Sequence, residues 1–346
     1  MRIRNTPERR GFTLLELLVV MSIIALIAGL SIGVFFRVRQ TQTESATITI
    51  VNKLQSQLDQ QWKAVLDNAR DDARTGRLGA NNNAHAAAAL GGNDSRRELV
   101  IWTKMQQRLE FPRSFDEVAN WPVSVGLNLP GKTYGKTSYA APIIAAGITP
   151  VLEQNLSDDQ LLQESAVLFY LAVTQGRRGV AAFNPIDHLG PHAVGDVTLT
   201  WYTRPNGTNP TFKVFVDTFG QPITFIRWPT GMSPSDELMQ PPYAATNTIG
   251  GTQYVVDPQD PEMTLYLPPW STSQQAVLFG QFIHPLGNPV RPVNMSPLVF
   301  SYGRDKQHGI KPPRLTNTGQ EQSFTRNSPD EDDNIYGYRS RGVGRH

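Results

Sequence analysis

Glu16 has the most demanding setting in this chain. It is the one charged side chain within residues 12–36, FTLLELLVVMSIIALIAGLSIGVFF. A carboxylate in so apolar a segment costs about 3 kcal/mol unless a cation meets it, so its chemistry is charge pairing in an apolar medium. Other candidates offer less. Residues 126–133, GLNLPGKT, match the phosphate-binding pattern G-x-x-x-x-G-K-T, which needs a strand before it and a helix after it. Here a Pro-containing piece precedes, and Tyr134, Gly135, Lys136 and Pro142 follow. His188 and His192, with Asp187 and Asp196, are metal-ligand types, but Gly190 and Pro191 keep one helical face from presenting both imidazoles. Six scattered histidines give no legible triad. With no cysteine there is no thiol nucleophile, Cys-ligated zinc, iron–sulfur cluster or disulfide framework. The Asn206-Gly-Thr208 sequon marks a turn and carries no further weight. The chain reads as one that is not an enzyme.

The elements that position Glu16 are legible. Residues 1–11 form a basic head with Arg2, Arg4, Arg9 and Arg10, and residues 17–36 are an uninterrupted run of apolar or small side chains. At about 1.5 Å per residue that run spans about 30 Å, the hydrocarbon thickness of a bilayer. The leading arginines predict a cytoplasmic N-terminus and export of everything after Arg37. The run is longer than the roughly 7–15 apolar residues of a secretory signal and ends in Val34-Phe35-Phe36-Arg37, without an A-x-A-like site. Of 32 Lys+Arg and 30 Asp+Glu, the first eleven residues hold four arginines and one glutamate, leaving the remainder at −1. That balance lacks the positive surplus of a general nucleic-acid binder.

Gly11-Phe12-Thr13-Leu14-Leu15-Glu16, after a basic leader and before the apolar run, resembles the N-terminus of type IV pilins and of the pseudopilins of type II secretion. The resemblance implies that a prepilin peptidase cuts between Gly11 and Phe12 and methylates the new terminal amine. Glu16 becomes the fifth mature residue. The amine of Phe12 in a neighbouring subunit then neutralises Glu16 inside lipid or a filament core, and so sets the register of subunit addition. Many family members carry proline at the twenty-second mature position; here it is Gly33, and Gly29 and Gly33 are where the helix is free to bend.

Beyond the membrane, Ile48, Val51, Leu54, Leu58, Trp62, Val65, Leu66 and Ala69 recur every three or four residues, and no proline falls between Phe12 and Arg77. This predicts one helix of about 60 residues, amphipathic in its second half and ending near Gly76 or Gly79. Residues 79–95 are a low-complexity loop. Ser95-x-x-Glu98, Ser114-x-x-Glu117 and Ser157-x-x-Gln160 predict capped helices over 96–110, 115–120 and 158–174. From about 197 the period becomes two. Strands are expected around Val197–Trp201, Phe212–Val216 and Ile223–Phe225, and over 276–283 and 298–302, with Asn206-Gly207 in a hairpin loop.

Three further pieces occur in order: residues 217–229 (DTFGQPITFIRWP), residues 298–305 (LVFSYGRD) and residues 332–335 (DDNI). Together they are similar to the closing part of the major (G-type) pseudopilin of type II secretion, with Phe219 in place of the usual tryptophan and long insertions between the pieces. In that family the acidic loop binds calcium, which carries over to Asp305, Asp332 and Asp333 and suits a hard cation that takes several oxygens. The alternative is that residues 330–333 are a solvated acidic turn near Arg326.

The expected fold is therefore α+β: a long N-terminal helix, membrane-spanning and then amphipathic, packed on an antiparallel sheet head with inserted helices. The divisions are a cleaved leader (1–11), membrane or filament-core helix (12–36), amphipathic continuation (37–78), loop (79–95), helical insertion (96–190), sheet head (191–310), and an acidic loop with a basic tail (311–346). The expected function is that of a pseudopilus subunit for type II secretion. A minor type IV pilin of a surface pilus is one alternative, and a membrane-anchored extracytoplasmic enzyme or carbohydrate-binding module another. Expected partners are the prepilin peptidase, other pilin or pseudopilin subunits, further copies of the chain, an inner-membrane assembly platform and, before assembly, the lipid bilayer, with no nucleic acid. No cofactor is expected beyond structural calcium. The expected location is the bacterial inner membrane, then a periplasmic or surface filament.

Overall fold

The computed structural model describes residues 14–75, 94–120, 137–229, 245–249, 252–256, 260, 297–314, 325–326 and 334–337. Two units divide between Ala46 and Thr47. Helix α1 (Leu14–Arg74) is a single 61-residue element, as the absence of proline and the apolar period require. It stays helical through Gly29 and Gly33, so the expected freedom to bend is not expressed there.

In the first unit every described side chain of α1 except Thr43 is exposed, the large apolar ones from Val19 at 47% to Leu14 at 84%. The stretch Leu14–Ser31 is long and apolar enough to cross a bilayer. Its hydroxyls fit that solvent: Ser22 Oγ donates to the Leu18 carbonyl and Ser31 Oγ to that of Ile27, both at 2.8 Å. Each satisfies its donor inside the helix, where lipid offers no partner.

The second unit opens on the amphipathic part of α1. Val51, Leu54, Leu58, Trp62, Val65 and Ala69 are buried, with Ile48 and Leu66 packed at the margin, and the helix ends one turn short of Gly79. The inserted region holds α2 (Ser95–Glu110), α3 (Phe115–Asn120), α4 (Thr137–Ala145), α5 (Asp158–Thr174) and α6 (Pro185–Leu189). The capping pattern locates three of them, with different local chemistry at each. Ser157 and Gln160 form the full reciprocal box on α5. On α2 the cap is Asp94, whose carboxylate accepts from the Arg96 and Arg97 amides, one residue before the expected serine. On α3, Ser114 Oγ accepts from the Glu117 amide, but the Glu117 side chain turns away to other partners. Helix α4 was not expected, because Pro142 lies inside it. The next turn is closed by Gly147 at φ +67°, where a Cβ would come within 2.7 Å of Pro205.

Among the described residues the strands form four small antiparallel sheets: β1 (Val194–Thr198) with β2 (Thr211–Phe215); β3 (Thr224–Ile226), β6 (Leu298–Ser301) and β9 (Ile335–Tyr336) with β6 central; β4 (Ala245–Ile249) with β5 (Thr252–Val256); and β7 (Ile310–Lys311) with β8 (Thr325–Arg326). The strand expected at 276–283 lies outside the described residues. Strand β1 starts three residues earlier than expected and stops at Thr198, leaving Leu199 and Tyr202 to bury their side chains from the loop. Helix α5 packs on β2 and β3, with Phe169 edge-on to Phe215 at 5.3 Å and tilted on Phe225 at 5.4 Å.

Gln55 joins α1 to the central strand. Its Nε2 donates to the Pro297 carbonyl at 2.9 Å and its Oε1 accepts from the Val299 amide at 2.8 Å, as a neighbouring strand would. The approach is close enough that a Cβ on Gly337 would meet Gln55 Oε1 at 2.6 Å.

Candidate functional site

Glu16 occupies the first turn of α1, exposed, where the positive end of the helix dipole favours a carboxylate. Gly11 and Phe12 lie outside the described residues. What the structure supplies after the processing region is an unbroken run of helix that presents apolar side chains on all sides, the arrangement of a helix made for lipid or for other helices.

All three C-terminal pieces meet at β6: Asp217 of the first bonds Ser301 of the second, and Ile335 of the third pairs with Ser301 in the β6–β9 ladder. Asp217 is buried in the tight turn between β2 and β3; its Oδ1 accepts from the Phe219 and Gln221 amides at 2.9 and 2.8 Å. Its Oδ2 accepts from Ser301 Oγ at 2.6 Å, and that hydroxyl accepts in turn from the Gly303 amide. Gly220, at φ +82°, closes the turn. Burial raises the Asp217 carboxyl above its ordinary range, against the pull of these hydrogen bonds. On the α1 side the Thr218 amide donates to Thr47 Oγ1, and the two threonine hydroxyls are hydrogen-bonded. The D-x-F-G and S-x-G-x-D sequences are therefore one structural device, fixing the β2–β3 turn to β6 and to α1.

Of the calcium candidates, Asp305 is exposed and its Oδ1 accepts from the Gln307 amide at 2.8 Å, in a turn where Lys306 adopts φ 66°. Asp332 and Asp333 lie outside the described residues. Among the described residues no group of three metal-ligating side chains comes together. The histidine set disperses into structural roles: His188 stacks on Phe183 at 4.8 Å, Asp187 accepts from Asn184, and Asp196 pairs with Lys213. Residues 126–133 are outside the described set. The side-chain oxygen of Asn206 accepts from the Thr208 amide and hydroxyl, which makes the sequon a turn.

The feature missed from the sequence is a buried charged network in the helical insertion. Glu117 Oε2 accepts from Arg227 at 2.8 Å and from the Arg113 amide at 3.0 Å, with Arg108 4.0 Å from its other oxygen. Burial alone raises the Glu117 carboxyl, but Arg227, Arg108 and Arg113 outweigh it and hold the group below its ordinary range. Arg113 pairs with Glu153, and Lys104, Arg108 and Arg227 surround the Trp228 ring at 5.3, 5.3 and 4.6 Å. Arg177 is a second hub. It reaches Glu110, Gln61, the Ala172 carbonyl and Tyr139, and lies over Phe111. Trp228 and Phe115 flank motifs that the sequence does single out, but nothing in spacing reveals their ionic partners.

Glu164 completes the network: it accepts from the Phe115 amide at 2.7 Å and from the Tyr202 hydroxyl at 2.8 Å, and that hydroxyl accepts from the Val151 amide. Burial pushes its carboxyl up to about 7 from 4.5. The folded state thus binds a proton more tightly than the unfolded one between those values. Its contribution to stability is full below about pH 4.5, falls as pH rises through about 7, and levels off above, a loss of up to about 3 kcal/mol. Urea titrations from pH 4 to 8 should show that slope in the parent chain and a flatter one in Glu164→Gln; equal slopes would remove Glu164 as its source.

No curated protein and no solved structure matches the chain. Residues 7–32 match the family described as the prokaryotic N-terminal methylation motif. With the apolar helix that follows, this fits an inner-membrane-anchored protein, and the motif indicates a type IV pilin-like prepilin-peptidase substrate that assembles with other pilin subunits.

Proposed function

We propose that the chain is a structural subunit of a pseudopilus for type II protein secretion, cleaved between Gly11 and Phe12, with the amine of Phe12 paired to Glu16 of a neighbour. The observation that carries the filament reading is the methylation motif, continued into one helix whose first part is apolar and exposed and whose second part is core. The pseudopilus assignment draws support from the Asp217–Ser301 bond, which joins two of the sequence pieces on which the resemblance to the major pseudopilin rests. The N-terminus is cytoplasmic and the head exported. The role is mechanical: the apolar helix passes from lipid into the filament core, and an ATPase elsewhere supplies the work.

Expression with and without a prepilin peptidase tests this through the mass of the N-terminal peptide. A peptide beginning at Phe12 and heavier by one methyl group is expected only when the peptidase is present. An intact leader in both cases would overturn the reading and favour an anchored enzyme or binding module. Calcium held by Asp305, Asp332 and Asp333 belongs to the same proposal. The melting temperature of the full chain in detergent should rise in calcium relative to chelator, and Asp332→Asn should abolish the rise. An identical melting temperature in both buffers would remove calcium from the proposal.

A further inference from the structure

Beyond its apolar span, α1 carries three charged side chains before the second unit begins: Arg37, Arg39 and Glu44, all exposed. Among the described residues none of them has an ion-pair partner within the chain. The hydroxyls of Thr41 and Thr43 bond back to the carbonyls of Arg37 and Arg39 at 3.1 and 2.9 Å, within unbroken helix. The axial distance from Glu16 to Glu44 is therefore fixed by helix geometry at about 42 Å.

We propose that Glu44 forms an ion pair with Arg37 of a second copy of this chain, in the same register that pairs Glu16 with that copy's Phe12 amine. The inference rests on the filament reading and adds a second register contact to it. Bringing the amine of Phe12 level with a neighbour's Glu16 offsets the two copies by four residues, about 6 Å. The same offset places residue 40 of the displaced copy level with Glu44, about 1.5 Å beyond its Arg39 and about 4.5 Å beyond its Arg37. The Glu44 and Arg37 side chains lean toward the N-terminus alike, so the rise between them stays about 4.5 Å, within reach of the long Arg37 side chain.

The angular positions separate the two arginines. At about 100° per residue, Arg37 and Glu44 lie about 60° and 80° from Glu16 in the same direction, and only about 20° from each other. On the two paired helices the facing positions are Glu16 on one and Phe12 on the other. Arg37 lies about 20° from Phe12, Glu44 about 80° from Glu16, and Arg39 about 180° from Phe12, on the opposite face. One axial offset serves both pairs, and the continuity of α1 fixes the two together.

The test uses the full chain with prepilin peptidase and the assembly machinery, and reads sheared filament, the N-terminal peptide mass and the melting temperature of the head. Glu44→Arg and Arg37→Glu are each expected to cut filament yield about tenfold, through loss of one attraction and gain of one repulsion per contact. Both are expected to leave cleavage and melting unchanged. The double variant R37E/E44R should recover to within about twofold of the parent, and R39E should stay there throughout. Because the chain has no cysteine, differently tagged R37C and E44C copies give an independent reading. A short bismaleimide should join that pair far more often than R39C with E44C. Failure of the double variant to recover, equal loss in R39E, or cross-linking without preference would overturn the pair while leaving the filament reading intact. Parent chains that are cleaved yet form no filament would overturn both.

Discussion

Glu16→Ala is expected to abolish filament formation while the chain is still cleaved, methylated and folded. The physical reason is the asymmetry of buried charge. A paired amine and carboxylate roughly balance their desolvation, whereas removal of one leaves the other uncompensated at a cost of about 3–5 kcal/mol. At about 1.4 kcal/mol per tenfold, subunit addition should weaken by about a hundredfold to a few thousandfold. Glu16→Gln should be nearly as severe, because an amide does not neutralise the amine. The head should be indifferent, since Glu16 lies in the first unit and the buried core belongs to the second. Sheared filament, N-terminal peptide mass and thermal melting, read on the same preparation, check all three parts. A Glu16→Ala chain that assembles at parent levels would sink the charge-pair account.

The second large effect concerns the head. Glu117→Ala is expected to lower its stability by about 3–5 kcal/mol, because Arg227 loses its 2.8 Å partner and the Arg113 amide loses its acceptor, both in buried surroundings. For a unit of this size that corresponds to a fall of about 10 °C in melting temperature. Replacing both partners, Glu117→Met with Arg227→Met, should cost less than Glu117→Ala alone, since the buried Arg227 charge goes with its carboxylate. A single variant that melts with the parent would show the network to be energetically neutral. Assembly below the melting transition should be unaffected, which separates this prediction from the first.

The helix ends were legible wherever the signal was local. Ser157 and Gln160 cap α5 as their spacing requires, and the end of α1 near residue 75 follows from where its apolar stripe stops. Local signals failed where a neighbour competed for the same group. Glu117 has the spacing of a capping-box residue, yet Arg227 draws its carboxylate away. The alternation through Trp201 reads as strand, yet the Tyr202 hydroxyl is held by Glu164 and Val151, and the chain leaves the β1–β2 ladder at Thr198. Helix α4 escaped because Pro142 outweighs the apolar pattern of a nine-residue helix.

The N-terminal features are legible in the chain alone: a basic leader, one carboxylate in an apolar run, and a helical period continuing past it. Those features are contiguous, and their physics depends only on spacing along one helix and on the cost of charge in lipid. Only the tertiary structure decided that Asp217 bonds Ser301, that Gln55 extends the ladder of β6, and that Glu117 lies among Arg108, Arg113 and Arg227. Arg108 and Arg113 are near Glu117 in the chain, but the other partners are brought together across separations of 84, 110 and 244 residues. Charge type and periodicity fix which face of an element is buried, but which buried charges meet is set by the packing of elements against one another.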